Sequence, residues 1–169
     1  MSIGQSMLGE FDYEMANTRR TLDRIPLDKL EWKPDPKSMS LGRLAGHVVE
    51  MVGWGKMIID TDSLDMNPNE HKPLEVTGRD QLLGLLDQNA AALRSALAAT
   101  SDADMMKEWA LKIGGNTLFS MPRVACIRSM IMNHIIHHRA QLTVYYRMVG
   151  VPVPALYGPS ADEGNAAAA

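Results

Sequence analysis

Residues 121–149 constrain this chain more than any other stretch. Apolar side chains recur there at helical spacing, no glycine interrupts before Gly150, and the one proline, Pro122, stands at the entry. That pattern predicts a long helix with Pro122 in its first turn, ended by Gly150. Inside it lies Asn133-His134-Ile135-Ile136-His137-His138-Arg139-Ala140-Gln141, which holds three of the chain's five histidines. Residues four apart on a helix share a face. His134 and His138 can therefore aim two imidazoles at one point, as a metal site requires. His134 with His137 is the competing pair, and the apolar face arbitrates. At about 100° per residue, Val124, Ile127, Ile131, Ile135, Leu142, Tyr145 and Val149 cluster in one direction. His138 falls about 20° from the centre of that cluster, His134 about 60° and His137 about 120°. His134 and His138 are expected to face the interior. His137 shares a second stripe with Cys126, Met130, Val144 and Met148, which suits packing on another helix or a second subunit.

A third ligand must come from elsewhere, and His47 is the candidate. Ser38 or Ser40 can cap a helix that runs to about Asp60. On it, Leu44, Met51, Trp54 and Ile58 share the side of His47, so this imidazole points inward. The alternative for His47 is a core histidine bonded to a carbonyl or carboxylate. Three neutral imidazoles without matching carboxylates are otherwise costly to bury. Three histidine donors leave one or two positions open, as in a catalytic rather than a closed structural site. Zinc suits such a set, and so do nickel, iron and copper. Glu50, one turn beyond His47, can fix an imidazole tautomer or stand as a solvated or ion-paired glutamate. Gln141 can hydrogen-bond a ligand, whereas Arg139 points away, towards a carboxylate or the surface. Tyr157 is placed to fold over one end of the helices, either as packing or with its hydroxyl reaching the open metal position. Cys126 reads as structural rather than as a nucleophile.

The remaining segments frame these two helices. Met7, Phe11, Met15, Thr18 and Leu22 predict an amphipathic helix over residues 3–22, with Glu10, Asp12, Glu14 and Arg19 on other faces. Residues 25–40, with Pro26, Pro34, Pro36 and Trp32, form a long connection. Residues 61–76 read as a polar surface loop, with His71 solvated. Thr77-Gly78-Arg79-Asp80 has capping-box spacing with aspartate at the fourth place. The helix after it runs to about Ala99, on Leu82, Leu85, Leu86, Leu93 and Leu97. From Trp109 to Phe119 the period changes to two around Gly114-Gly115-Asn116, which predicts a small hairpin or extended crossover.

Bulk properties narrow the function classes. The chain of 169 residues has ordinary hydrophobic (46%) and charged (22%) fractions, which suits one domain over residues 1–163 with a low-complexity tail at 164–169. A net charge of −3 with no basic run beyond Arg19-Arg20 argues against a nucleic-acid partner. No stretch approaches the apolar length of a membrane span. One cysteine excludes an internal disulfide, and without a signal peptide the expected location is cytoplasmic. Thirteen methionines read as adaptable core filling, or as the lining of a pocket or partner surface.

These residues also carry a family resemblance. Trp32 and Pro34 before the second helix, Leu44-Ala45-Gly46-His47 within it, and His134 to Gln141 in the last resemble the DinB-like (DinB/YfiT-type) metalloenzyme superfamily. Tyr157-Gly158-Pro159-Ser160-Ala161-Asp162-Glu163 is similar to the C-terminus of one branch. The resemblance implies an all-α four-helix bundle in up-down-down-up order, with the small extended segment before the last helix, and often a homodimer. It implies a divalent metal, zinc or nickel first and iron or manganese next, on His47, His134 and His138. It further implies a small-molecule substrate, with thiol S-transfer using a low-molecular-weight thiol among the family's reactions. The leading expectation is a metal-dependent transferase or hydrolase. The rival is a non-catalytic metal-binding stress-response protein.

Overall fold

The computed structural model describes residues 1–67 and 72–164, and it is mostly helical with one small sheet. His71 and residues 165–169 of the tail lie outside the described residues. Helix α1 spans Ile3–Leu22, α2 Leu41–Asp60 and α3 Arg79–Ala99. Strand β1 is Ser63–Met66, α4 is the short turn Asp102–Met105, and β2 (Glu108–Ile113) and β3 (Asn116–Pro122) follow. The last long helix comprises α5 (Arg123–Cys126), a π-helical stretch (Ile127–Asn133) and α6 (His134–Met148) without a break in helical backbone.

Helices α1 and α2 start where a side chain takes up a free backbone N–H. At α1, the Ser2 hydroxyl accepts from Gln5 N and the Gln5 side chain accepts from Ser2 N, a complete capping box. At α2 the cap is Ser40, which accepts from Arg43 N at 3.3 Å. At α3 the box anticipated at Thr77–Asp80 does not form. Gly78 is the cap residue, and the Gln81 side chain instead accepts from Thr77 N.

Helix directions follow from which residues meet. Glu14 and Thr21 of α1 bond Arg139 and Tyr146 of α6, so these two helices run together. Asp12 and Arg19 pair with Arg94 and Asp87, so α3 runs against α1. Val49 and Gly55 of α2 meet Asn89 and Leu93, so α2 runs with α3. Helix α2 therefore runs against α6. Fully buried Leu22, Leu44, Val48, Leu86, Leu93, Ile127 and Leu142 fill the space between them. Each such side chain contributes about 1.5–3 kcal/mol of burial. Close approach depends on Gly4, where an added Cβ would lie 2.0 Å from the Leu97 carbonyl oxygen.

Several sequence expectations are corrected here. The interval 61–76 is not all loop, because β1 pairs in parallel with β2 from Ser63↔Ala110 to Met66↔Ile113. Four residues without alternation carry no strand signal when the partner is over forty positions away. The hairpin forms as read: β2 and β3 are antiparallel, and Gly114 (φ 57°) and Gly115 (φ 80°) supply the left-handed turn. Helix entry is at Arg123 rather than Met121, because Met121 and Pro122 still pair with Trp109 and Glu108. The Arg123 guanidinium is buried and donates to the carbonyls of Ile58 and Thr61 at the end of α2. Cation and helix C-terminus suit each other.

The most consequential correction concerns Glu14, Arg139 and Tyr146. The sequence sets Glu14 on a face other than the core and points Arg139 away, towards a carboxylate or the surface; the carboxylate exists, but the pair is inside, and Tyr145 only packs against the core's edge. Glu14 and Arg139 are 5% and 1% exposed and paired at 2.6 Å, and Tyr146 is fully buried. The buried positions from Cys126 on are 126, 127, 131, 132, 135, 138, 139, 142 and 146, so Arg139 shares the inward side with His138; the π-helical stretch ahead of them turns less per residue than a fixed 100° wheel assumes. The Tyr157 hydroxyl joins the pair at 2.8 Å and 2.9 Å from the Glu14 oxygens. Around it the C-terminal segment is strapped down, with Arg147 on Asp162 and the Tyr13 hydroxyl donating to Leu156 O.

Removing one member of this ion pair strands the other charge in the core. Glu14→Leu is expected to cost about 3–5 kcal/mol in urea unfolding, and the double change Glu14→Leu/Arg139→Met to recover most of it. Tyr157→Phe is expected to cost only about 1 kcal/mol. A Glu14→Leu cost below that of Tyr157→Phe would contradict this account.

Candidate metal centre

The antiparallel contact of α2 with α6 brings His47 opposite His134 and His138. One nitrogen from each of the three rings falls within 4.8 Å of the others. Ring centroids are 5.5 Å (His47–His134), 4.9 Å (His47–His138) and 4.6 Å (His134–His138) apart. His138 is buried, and His47 and His134 are half-buried at the edge of the core. His137 is exposed; its ring stands edge-on to His138 at 4.9 Å, but it is not one of the three whose nitrogens converge. The pair chosen by the apolar wheel is the pair the fold brings to His47.

Hydrogen bonds set the tautomers. His134 Nδ1 lies 3.3 Å from the Met130 carbonyl oxygen, which can only accept, so this nitrogen carries the proton. His138 Nδ1 lies 2.7 Å from the Gln141 side-chain oxygen and donates likewise. Both Nε2 atoms are then bare, and they face each other at 2.8 Å. Two lone pairs at that distance repel unless a proton or a cation lies between them. His47 adds a buried Nδ1 with no hydrogen bond, 3.5 Å from Glu50 Oε2. The donor set, with two bare nitrogens already face to face, fits a divalent metal ion, while Nδ1 of His47 is left facing Glu50.

Electrostatics favour the neutral rings that bind metal. His47 is pushed down to about 4, first by burial and then by His138, Arg43 and His134. Burial also lowers His134 and His138. Glu50 is held in place by Arg43 at 2.9 Å and by the Leu74 backbone N–H. The segment after residue 71 therefore lies on α2 beside the histidines, where Gly46 leaves room for the Leu74 carbonyl.

The other sequence candidates separate cleanly. Glu50 is near His47 but engaged by Arg43, and Gln141 contacts His138 directly. Tyr157 reaches Glu14 and Arg139 rather than the histidines. Cys126 is fully buried, its thiol pushed up to about 11 by burial, so it is no nucleophile at neutral pH. The stripe proposed for residues 126–148 is accordingly broken: Cys126 is inside, while Val144 and Met148 are exposed. Sequence reasoning missed Arg43, whose spacing of seven from Glu50 was the available signal, and the Met130 carbonyl, for which a side-chain pattern carries none.

The depressed His47 fixes the sign of a pH effect. Between about 4 and 6.5 the unfolded chain binds a proton that the folded chain refuses. The stability of the metal-free protein should therefore fall as pH drops from about 6.5 to about 4. His47→Gln should flatten that slope in chemical unfolding measured across the window. Equal slopes for the two proteins would contradict the burial assigned to His47.

Comparison with known proteins places this geometry in a family. A model described as the DinB family matches residues 1–167. The Bacillus subtilis protein YrdA, itself named as uncharacterized, is 28% identical over 156 residues, covering 92% of this chain and 89% of that protein. Two solved structures share the fold: a DinB-like protein from Bacillus cereus (TM-score 0.68, 23% identity, 92% of this chain and 98% of that one), and a DinB-like protein from Bacillus subtilis (TM-score 0.68, 21% identity, 88% and 96%). The chain belongs to the DinB family.

Proposed function

We propose that this chain is a metal-dependent enzyme built on an up-down-down-up four-helix bundle, with His47, His134 and His138 as the ligands of one divalent ion. The observation that carries the reading is the pair of bare Nε2 atoms 2.8 Å apart, each ring locked by a bond at its far side. Zinc or nickel suits the all-nitrogen set, and iron next; manganese, which prefers oxygen donors, stands only on the family resemblance. Such an ion, when bound, supplies Lewis acidity and lowers the pKa of a bound water or thiol.

The residues around it have separate tasks. Gln141 and the Met130 carbonyl hold the two α6 rings in the metal-binding tautomer. Glu50, fixed by Arg43 and Leu74 N–H, places a carboxylate beside His47 Nδ1 and stabilises that ring's proton there. Three protein donors are one fewer than a closed structural zinc site uses. This supports a reacting site, with thiol transfer to, or hydrolysis of, a small molecule as the reaction class. A low-molecular-weight thiol is the co-substrate in the first case. Among the described residues no helix is long and apolar enough to cross a membrane, and the single cysteine is a buried thiol; both agree with a cytoplasmic enzyme. Val144 and Met148, each 57% exposed on α6, are the contact we assign to a homodimer. Sedimentation velocity at micromolar concentration should show a dimer, and a strict monomer would remove that part of the reading.

Protein purified without a histidine tag should carry close to one equivalent of metal by elemental analysis. His138→Ala should lose most of it, and His137→Ala should keep it. Full occupancy in His138→Ala would overturn the ligand assignment. Metal that raises the melting temperature without turnover of any electrophile–thiol pair or hydrolysable ester would favour a non-catalytic metal-binding protein instead.

A further inference from the structure

Beside the histidine centre lies a cleft that the metal reading does not use. Its free volume is about 50 Å³ beside an open mouth, room for one small group of a ligand rather than for a whole one. Trp54 and Met57 of α2 form one wall, Met66 of β1, Trp109 of β2 and Phe119 of β3 another, and Met130 of the π-helical stretch the floor. The walls are apolar, and the one polar atom of Trp109 is turned out of play, since its Nε1 donates to the Thr61 hydroxyl at 3.1 Å. All six are apolar or aromatic types that favour a core, yet only Trp109 is buried, and Trp54, Met57, Met66, Phe119 and Met130 are half-buried.

Two residues belong to both the cleft and the histidine centre. Trp54 stands edge-on to His47, ring centroids 5.7 Å apart. Met130 lines the cleft with its side chain and holds His134 Nδ1 with its carbonyl. The cleft therefore adjoins the histidine centre through these two residues. Aromatic walls select a flat or branched apolar group, and methionines adapt to its outline.

We propose that this cleft is the specificity subsite of the enzyme and takes a neutral aromatic or branched aliphatic group of the substrate, while the polar reacting end of the same molecule meets the histidine centre. The second half rests on the metal assignment above. The sheet then has a function: strands β1 to β3 exist in this fold as the outer wall of the subsite. Charged small molecules without an apolar group are poor substrates on this account.

Acetohydroxamate and benzohydroxamate share a metal-binding head and differ in the group beside it. Their dissociation constants for the zinc-loaded protein, together with methionine ε-methyl NMR, test the proposal. Benzohydroxamate should bind at least about tenfold more tightly, the discrimination a buried ring supports, and should shift the Met66 and Met130 methyls. Phe119→Ala and, on another strand, Met66→Gln should each bring benzohydroxamate towards acetohydroxamate while leaving acetohydroxamate binding and zinc content unchanged. Equal affinity of the two compounds for the wild type would overturn the subsite and leave the metal reading intact. If neither hydroxamate binds but indole still shifts the same methyls, the metal reading fails and the apolar site stands. Methyls unmoved by benzohydroxamate and by indole would overturn the subsite outright.

Discussion

The two facing nitrogens of His134 and His138 set the terms for the rest of this structure. Each ring has one proton in its neutral form, and each proton is already committed, to the Met130 carbonyl and to Gln141. A second proton would relieve the lone-pair contact but would create a charge where burial disfavours one. A divalent cation shared with His47 relieves it without moving either ring. The arrangement thus presents the one protonation state that suits a metal, and the scaffold must hold the two rings against their mutual repulsion.

That work is done by both neighbouring helices. Helix α2 contributes His47 and, one turn on, Glu50, which is pinned by Arg43 and by Leu74 of the following segment. Helix α1 fixes the far side of α6 through the buried Glu14–Arg139 pair, one residue beyond His138. Tyr157 closes that pair from the C-terminal segment. The π-helical stretch just before His134 turns the last helix so that a histidine face and an arginine face are both served. Such stretches cost hydrogen-bond geometry and concentrate at functional sites.

Much of this was legible in the residues alone. The three-histidine group could be found because a spacing of four is a local rule, and because apolar neighbours mark the inward side of a helix. The hairpin could be found because two glycines announce a left-handed turn. What escaped had a different cause in each case. Strand β1 is four residues long and acquires its order from a partner far along the chain. Arg139 and Glu14 look like surface residues by type, and only their pairing makes burial affordable. For Arg139 a uniform helical period was carried across a π-helical stretch that departs from it, whereas Glu14 lies on the regular helix α1 and only its partner explains its burial. The capping box at Thr77 had the right spacing and the wrong fourth residue, and Gln81 bonds Thr77 instead.

Anomalous diffraction across the zinc and nickel absorption edges, on crystals of untagged protein, tests the central claim most directly. The account predicts a single strong peak within bonding distance of His47, His134 and His138, with no protein atom from His137 or Glu50 in contact with it. A crystal grown with those metals present that shows no peak there, with a proton-shared His134–His138 pair in its place, would contradict it.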